Sequence, residues 1–246
     1  MTLDEVLAGL FPNGSDITLT GGIVAGKGIL AGDSRVHVLG VAQGLPLGVD
    51  EAIALARRVI GIIKSGDRTP ILLLVDSASQ RMSRRDELLG LNEYLAHLAK
   101  TLLLAEAEGH RTIGLLYGGS AAGAFIATAL ATGRLVALPG AHPAVMDLPS
   151  MARVTKLPIE VLKAKAEATP VFAPGLDNMV RTGGIQLVWD DSTSLAAQLA
   201  AILEQPAGQD ERDRLGVARG GRLKAAEIAE RVTSLAANSP AESRHV

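Results

Sequence analysis

The 246-residue sequence contains no cysteine. It therefore cannot hold a disulfide framework, a cysteine-ligated zinc ion or an iron–sulfur cluster, and it has no thiol nucleophile. Aromatic residues make up only 2% of the chain, which argues against binding of single-stranded nucleic acid because aromatic stacking platforms are scarce. The net charge of −2, without a large basic block, argues in the same way against binding of a duplex.

Long uncharged segments are also rare, and one of them needs an explanation. The 22 residues between Arg111 and Arg134 carry no charge, which is long enough for a transmembrane helix. Gly118-Gly119-Ser120 interrupts the segment, so a buried strand, a glycine turn and a buried helix are favoured instead. The N-terminus, Met1–Glu5, is acidic where a signal peptide would be basic. We therefore expect a soluble cytoplasmic protein with no membrane contact.

The centre of the chain alternates strand and helix patterns, which predicts a parallel sheet with helical crossovers. Apolar and β-branched runs predict strands at 17–20, 35–41, 71–75, 112–117 and 135–138. Helical spacing predicts helices at 2–10, from 49 onwards, at 83–108 and up to 131, and then at 149–154, 158–168, 177–182 and 194–204. We expect one α/β domain over 1–246, with a core at about 15–205, a closing helix at about 209–236 and a loose tail at 237–246.

Two motifs suggest chemistry that their surroundings do not support. Gly21–Gly28 nearly matches a phosphate-binding P-loop, but Gly28 stands where Ser or Thr is needed and no helix pattern follows, so a glycine-rich hairpin is favoured. Arg81, Arg84 and Arg85 form a basic cluster. Contact with Asp86 and Glu87 is the favoured interpretation, and a docking surface for an anionic partner is the alternative.

The strand at 112–117 runs into Gly118–Gly123, and a helix pattern follows. Small residues let a ligand approach the backbone, and the first N–H groups of a helix have no internal partner. Such a turn can bind an anion or a developing oxyanion. Ser120 lacks the spacing of a nucleophile elbow, so a turn or helix-cap hydroxyl is favoured. His142 follows a strand near this turn, where an ordinary loop histidine is the favoured interpretation and a catalytic one the alternative.

Several stretches together resemble the carboxyltransferase branch of the crotonase superfamily. They are a hairpin ending in Val41–Gly44, the strand Pro70–Asp76, the long helix, the turn Gly119–Phe125, and the later segments 83–90, 146–152 and 155–158. Within that branch the sequence looks most like malonate decarboxylase gamma subunits, the counterparts of carboxyltransferase alpha subunits. The resemblance spans roughly residues 15–205.

The resemblance implies a crotonase-like (ClpP/crotonase) spiral of β-β-α units and an active site shared with a beta subunit in a heterodimer or larger complex. The substrate would be a malonyl thioester on an acyl carrier protein, loaded by an acyl-transferase subunit, and this chain would bind no cofactor. The implied oxyanion hole consists of the backbone N–H groups of Ala122 and Gly123. The implied substrate-binding residues are Gly118, Gly119, Ser120, Ala121 and His142.

The sequence departs from the family pattern at two places. Ala122 stands where carboxyltransferases usually have glycine, and Asp76–Gln80 replaces their usual Thr-Pro-Gly-type turn. Both changes favour a biotin-independent decarboxylase. A biotin-dependent carboxyltransferase subunit and a non-catalytic scaffold subunit remain the alternatives. An isomerase or hydratase acting alone is disfavoured because no Glu pair lies near the turn.

Overall fold

A computed structural model describes residues 1–170, 173–206 and 208–238 of the chain. The strands are β1 Ser15–Thr20, β2 Ile23–Ile29, β3 Arg35–Leu47, β4 Ile71–Gln80, β5 Thr112–Leu116, β6 Gly119–Ala121, β7 Arg134–Ala137, β8 His142–Ala144 and β9 Leu187–Val188. The α-helices are α1 Leu3–Leu10, α2 Val49–Ser65, α3 Arg84–Leu88, α4 Leu91–Ala107, α5 Ala122–Ala127, α6 Leu148–Thr155, α7 Ile159–Ala168, α8 Leu176–Arg181, α9 Leu195–Glu204, α10 Arg212–Ala218 and α11 Leu223–Asn238.

A seven-stranded sheet in the order β1-β2-β3-β4-β5-β7-β9 forms the centre of the fold. The pairs β1–β2 and β2–β3 are antiparallel, and every later pair is parallel. The parallel arrangement of the central strands, predicted from the alternation of strands and helices, is thus confirmed. β6 and β8 form a separate two-stranded parallel ladder next to the main sheet.

Hydrophobic cores lie on both faces of the main sheet. In β4, Ile71, Leu73 and Val75 pack with residues of α2 and α4, whereas Leu72 and Leu74 pack with residues of α1 and α9. Alternate residues of a strand point to opposite faces, so a strand covered on both faces is apolar throughout. This explains the unbroken apolar run from Ile71 to Val75.

The helix predicted at 83–108 is wrong as one element, because the structure divides it into α3 and α4. Gly90 separates them with a φ of +82°, a left-handed conformation that a continuing helix cannot contain. Leu88, predicted to lie on the buried face of that helix, is 76% exposed. Leu91, Leu95, Leu98 and Leu102 are buried as expected.

The closing helix predicted at about 209–236 is also two helices, α10 and α11. Gly220 has a φ of +71°, and a Cβ atom on Gly221 would lie 2.1 Å from the carbonyl oxygen of Arg181. The chain therefore turns sharply at this glycine pair and passes close to the end of α8. The predicted start of the loose tail at residue 237 is too early, because α11 continues to Asn238. Residues 239–246 lie outside the described part of the chain.

The glycine-rich segment Gly21–Gly28 forms a hairpin, as predicted. Gly21 and Gly22 make the turn with positive φ angles, and β2 follows it directly. Within the described residues, no helix is both long and apolar enough to span a membrane. The uncharged segment after Arg111 instead contributes β5, β6 and α5 to the fold.

Candidate active site

The candidate site lies where the parallel strands β4 and β5 end at the same edge of the sheet. β5 ends at Leu116, and the chain continues through β6 into α5. The predicted end of β4 at Asp76 is wrong, because the strand continues to Gln80. Ligands of α/β proteins commonly bind at the carboxyl ends of parallel strands. This edge brings the segment Gly118–Gly123 next to the polar half of β4. The prediction of a simple turn is wrong for this segment, because it forms the short strand β6 and the first two residues of α5. We use the word turn for this strand-to-helix segment.

Asp76 connects a glycine-containing irregularity of strand β3 with the start of β6. Its Oδ1 accepts the N–H of Gly119 at 3.1 Å, and its Oδ2 accepts the N–H of Gly44 at 3.3 Å. A Cβ atom on Gly118 would lie 2.2 Å from Asp76 Oδ1, so only glycine fits there. Gln43 and Gly44 both have a φ of +62°. One carboxylate therefore holds this part of β3 and the start of β6 next to each other.

Ser120 is bound to Ser77, the next polar residue of β4. The two hydroxyl oxygens lie 2.8 Å apart, and Ser120 is buried. The predicted helix-cap role of Ser120 is wrong, because α5 has Ala121 as its N-cap residue and no side-chain cap. Burial and this bond give Ser120 a structural role between β4 and β6.

His142 lies directly beside Gly119. The two residues are partners in the β6–β8 ladder, and the His142 N–H donates to the carbonyl oxygen of Gly118 at 3.1 Å. A Cβ atom on Gly119 would lie 2.7 Å from His142 Nε2. The imidazole is exposed and covers the outer side of the turn. The structure thus brings this predicted residue to the turn.

Ala122 and Gly123, the predicted oxyanion residues, begin α5. Ala122 has a φ of +50°, which L-residues other than glycine rarely adopt. The Gly123 N–H donates to Gln80 Oε1 at 2.8 Å. A Cβ atom on Gly123 would lie 3.0 Å from Leu95 Cδ1, so there is little space beside this residue. Because α5 is only six residues long, individual N–H groups matter here more than a helix dipole.

Tyr117 places a buried hydroxyl next to Asp76. This hydroxyl has no hydrogen-bond partner among the described residues. Burial and the Asp76 carboxylate raise the pKa of Tyr117 well above its usual range, so the group stays protonated at neutral pH. Tyr117, Asp76 and Gln43 line a cleft of about 330 Å³ together with the N-terminal residues 1–4.

Two arginines of the cluster, Arg81 and Arg85, bind acidic residues of α2 and α3. Arg81 contacts Glu51 at 2.6 Å, Arg85 contacts Asp50 at 2.8 Å, and Arg85 also reaches the buried Asp86 at 3.3 Å. The predicted contact with Asp86 is confirmed. A hydrogen bond from the Ser83 hydroxyl, assisted by the arginine charges, lowers the pKa of Asp86. This network fixes α3 against α2 just beyond the end of β4.

Four residues of this site were not predicted: Asp76, Ser77, Gln80 and Tyr117. Their common signal is a polar side chain directly after a buried apolar strand, at the edge where ligands bind. In the described ranges, no three His, Asp or Glu residues are close enough together to hold a metal ion. The chemistry available at this edge consists of main-chain N–H groups, one carboxylate, an amide, hydroxyls and His142.

Three comparisons relate this arrangement to known proteins. A family profile for the malonate decarboxylase gamma subunit matches residues 42–236. The malonyl-S-ACP:biotin-protein carboxyltransferase MADD of Malonomonas rubra is 28% identical over 197 residues, which is 72% of this chain and 68% of that protein. A chain of a Pseudomonas malonate decarboxylase hetero-tetramer in complex with coenzyme A superposes with a TM-score of 0.72 at 25% identity, covering 92% of this chain and 95% of that chain.

A more distant structure shares only the fold. A chain of the transcarboxylase 12S core superposes with a TM-score of 0.66 at 16% identity, covering 84% of this chain and 42% of that chain. These neighbours confirm the predicted crotonase-like fold class. The profile match covers more than half of the sequence and includes β4 and the segment Gly118–Gly123. The chain therefore belongs to the malonate decarboxylase gamma subunit family.

Proposed function

We propose that this chain works with a beta subunit to decarboxylate a malonyl thioester on an acyl carrier protein to the acetyl thioester. It would thus be part of a carboxy-lyase and act in the cytoplasm. The observation that carries the proposal is the turn Gly118–Gly123 at the carboxyl edge of the parallel sheet, in a member of this family. The turn offers main-chain N–H groups, and its one nucleophilic side chain, Ser120, is buried against Ser77.

Decarboxylation requires stabilisation of an enolate. When carbon dioxide leaves a malonyl thioester, the C–C bonding electrons form the enolate, and negative charge grows on the thioester oxygen. N–H groups aimed at that oxygen stabilise the transition state more than the ground state. We assign this role to the N–H groups of Ala122 and Gly123. Gly118, Gly119, Ser120 and Ala121 form the wall beside the thioester, and His142 covers its outer side.

We infer that the chain is active only with its partner. Related Pseudomonas malonate decarboxylase subunits form an MdcD–MdcE hetero-dimer and a hetero-tetramer. This chain provides one segment with main-chain N–H groups that could stabilise an oxyanion, Gly118–Gly123. The complementary half of the site would come from the beta subunit. We expect the two subunits to bury well over about 2,000 Å², as obligate complexes do. Decarboxylation by the isolated chain would contradict this inference.

We propose further that the chain itself binds no cofactor, because the carrier protein delivers the thioester arm. An acyl-transferase subunit would load the malonyl group. In this scheme the protein supplies a binding surface and main-chain donors. The alternative is that this chain is a non-catalytic scaffold subunit of the same complex. In that case, substitutions in the segment Gly118–Gly123 would leave turnover of the complex unchanged.

A second candidate function is carboxyl transfer to biotin. It is favoured by one observation, the similarity to the Malonomonas rubra protein named for carboxyl transfer from malonyl-S-ACP to a biotin protein. Against it, β4 continues as a strand through Asp76–Gln80, and Ala122 adds a methyl group at the turn. Both features reduce the room for a biotin ring beside the thioester.

Release of labelled carbon dioxide distinguishes the two functions. The subunits are expressed without any biotin protein, combined with malonyl carrier protein, and assayed with and without excess avidin. We expect carbon dioxide release in both samples. Release that occurs only after a biotinylated carrier is added would favour the transferase. The matched control is the chain without its beta subunit, which we expect to be inactive.

A further inference from the structure

The amide proposed as an oxyanion donor already has an acceptor inside the protein. Gln80 Oε1 lies 2.8 Å from the Gly123 nitrogen, an ordinary N–H···O hydrogen-bond distance. Gly123 has a single N–H, so it cannot donate fully to two oxygens at once. The side-chain oxygen Oε1 of Gln80 therefore occupies the position that a thioester oxygen would need in order to accept from the Gly123 N–H.

The fold explains why a glutamine side chain lies at this place. Gln80 is the last residue of β4, where it pairs with Leu47 of β3. The N-cap residue of α5 is Ala121, which has no side-chain oxygen to accept from the first N–H groups. Gln80 provides the missing acceptor from 43 positions earlier in the sequence.

The remainder of the Gln80 side chain is held weakly. Its Nε2 has Met82 Sδ as its hydrogen-bond acceptor at 4.0 Å, and a thioether sulfur is a poor acceptor. Met82 itself is 79% exposed. The Gln80 amide can thus turn about its own side-chain bonds while β4 stays paired. No buried network has to break when the contact with Gly123 opens.

We propose that Gln80 is an internal competitor of the substrate, which holds the Gly123 N–H until a thioester oxygen displaces it. This inference rests on the proposed function and adds a positioning residue to it. In the empty site, Gln80 satisfies the N–H and keeps the start of α5 in place. In the occupied site, the Gln80 amide turns away and the substrate oxygen replaces Oε1.

The competition predicts a gain of activity on removal of the acceptor. An intramolecular hydrogen bond of this kind contributes a net effect equivalent to roughly 2- to 10-fold in an equilibrium constant. A substrate that must first displace it binds less tightly by the same factor. We therefore expect Gln80→Leu to raise kcat/KM by about 2- to 10-fold, mainly through a lower KM.

The experiment measures decarboxylation of malonyl carrier protein by the complex with its beta subunit. Gln80→Leu removes the acceptor, and Gln80→Met does so with an unbranched side chain if the leucine variant does not fold. Gln80→Glu retains an acceptor and should show no gain. Amide hydrogen exchange at Gly123 provides a readout besides activity, because the empty Gln80→Leu complex should exchange faster there than wild type.

Gln198 offers a matched control far from the site. Gln198 Oε1 accepts the Asp190 N–H at 2.8 Å, the same type of bond at the same length. Gln198→Leu should lower stability and leave kcat/KM unchanged. If the wild-type complex is active and Gln80→Leu lowers kcat/KM or leaves it unchanged, the inference is overturned but the proposed function is not. An inactive wild-type complex would overturn the proposed function and the inference with it.

Discussion

Strand β4 is apolar from Ile71 to Val75 and polar from Asp76 to Gln80, apart from Ala78, and the two halves do different work. The first half pairs with β3 on one side and β5 on the other, and its side chains fill both cores. The second half pairs only with β3, and its side chains bind the turns.

One strand thus contributes both to the stability of the fold and to the functional site. Apolar packing fixes the backbone of the first half, and the second half of the same strand carries three polar side chains that bond to a segment later in the chain. Asp76, Ser77 and Gln80 reach Gly119, Ser120 and Gly123 in the same order along the chain. In the empty site, side-chain hydrogen bonds from the polar half of β4 therefore position the turn.

The largest expected effect tests the apolar half. Leu73 is 1% exposed and belongs to the core shared with α2 and α4. We expect Leu73→Ala to lower the free energy of unfolding by about 2–5 kcal/mol, because it leaves a cavity in addition to losing apolar burial. Turnover per folded complex should not change. Denaturant unfolding measures the first quantity, and a loss of turnover beyond the unfolded fraction would break the division between the two halves.

The next effect tests the turn that the polar half positions. Gly123→Val should lower turnover by at least about 100-fold, as loss of an oxyanion donor does. The added side chain would meet Leu95 and Gln80 and keep a thioester oxygen from the N–H groups. Steady-state assays of the complex measure the change, and association with the beta subunit should persist. Equal turnover in the variant and wild type would rule out the assignment.

Ser120→Ala is the control for this prediction. The hydroxyl of Ser120 contacts Ser77 and not α5, so its loss should be much milder than that of Gly123→Val. A loss of equal size would instead indicate a mechanism that uses the Ser120 side chain.

The sequence predicts the two halves of β4 unequally. Ile71–Val75 is identifiable because burial on both faces demands an unbroken apolar run. Asp76–Gln80 was predicted as a loop, because its polarity is explained only by partners about 43 positions later. The glycines show a similar limit. The glycine pattern locates the segment Gly118–Gly123 but not its short strand β6, whose partner β8 comes later in the chain. The leucine-rich helical pattern around Gly90 does not reveal the helix break at that glycine. Local sequence patterns thus predict which segments are buried. Hydrogen bonds between residues far apart in the sequence can be identified only once the fold is known.

A smaller effect concerns the Asp76 carboxylate, which joins β3 at Gly44 to β6 at Gly119. Asp76→Ala leaves the N–H groups of Gly44 and Gly119 without their acceptor, and Asp76→Asn keeps one acceptor oxygen. Loss of such acceptors costs about 1–3 kcal/mol. Hydrogen exchange should become faster at both glycine amides in the alanine variant and less so in the asparagine variant. Faster exchange at only one of the two glycine amides would show that β3 and β6 are held independently.

The smallest effect tests the backbone of the turn itself. Ala122 has a φ of +50°, where a Cβ atom costs roughly 1–2 kcal/mol and glycine avoids the cost. Glycine also makes the unfolded chain more flexible, which reduces the gain in the free energy of unfolding by about 0.4–1 kcal/mol. Ala122→Gly should therefore stabilise the protein by up to about 1.5 kcal/mol, measured by thermal or denaturant unfolding.

Ala124, two residues further along α5, provides the opposite case. It is buried and has no positive φ, so Ala124→Gly should destabilise the protein by at least about 0.5–1 kcal/mol. Opposite signs for the same substitution in one short helix would place the strain at Ala122 specifically. Because Ala122→Gly keeps the N–H group, turnover of the complex should stay close to wild type. Destabilisation by both substitutions would mean that the turn stores no strain and that the polar half of β4 holds it without cost.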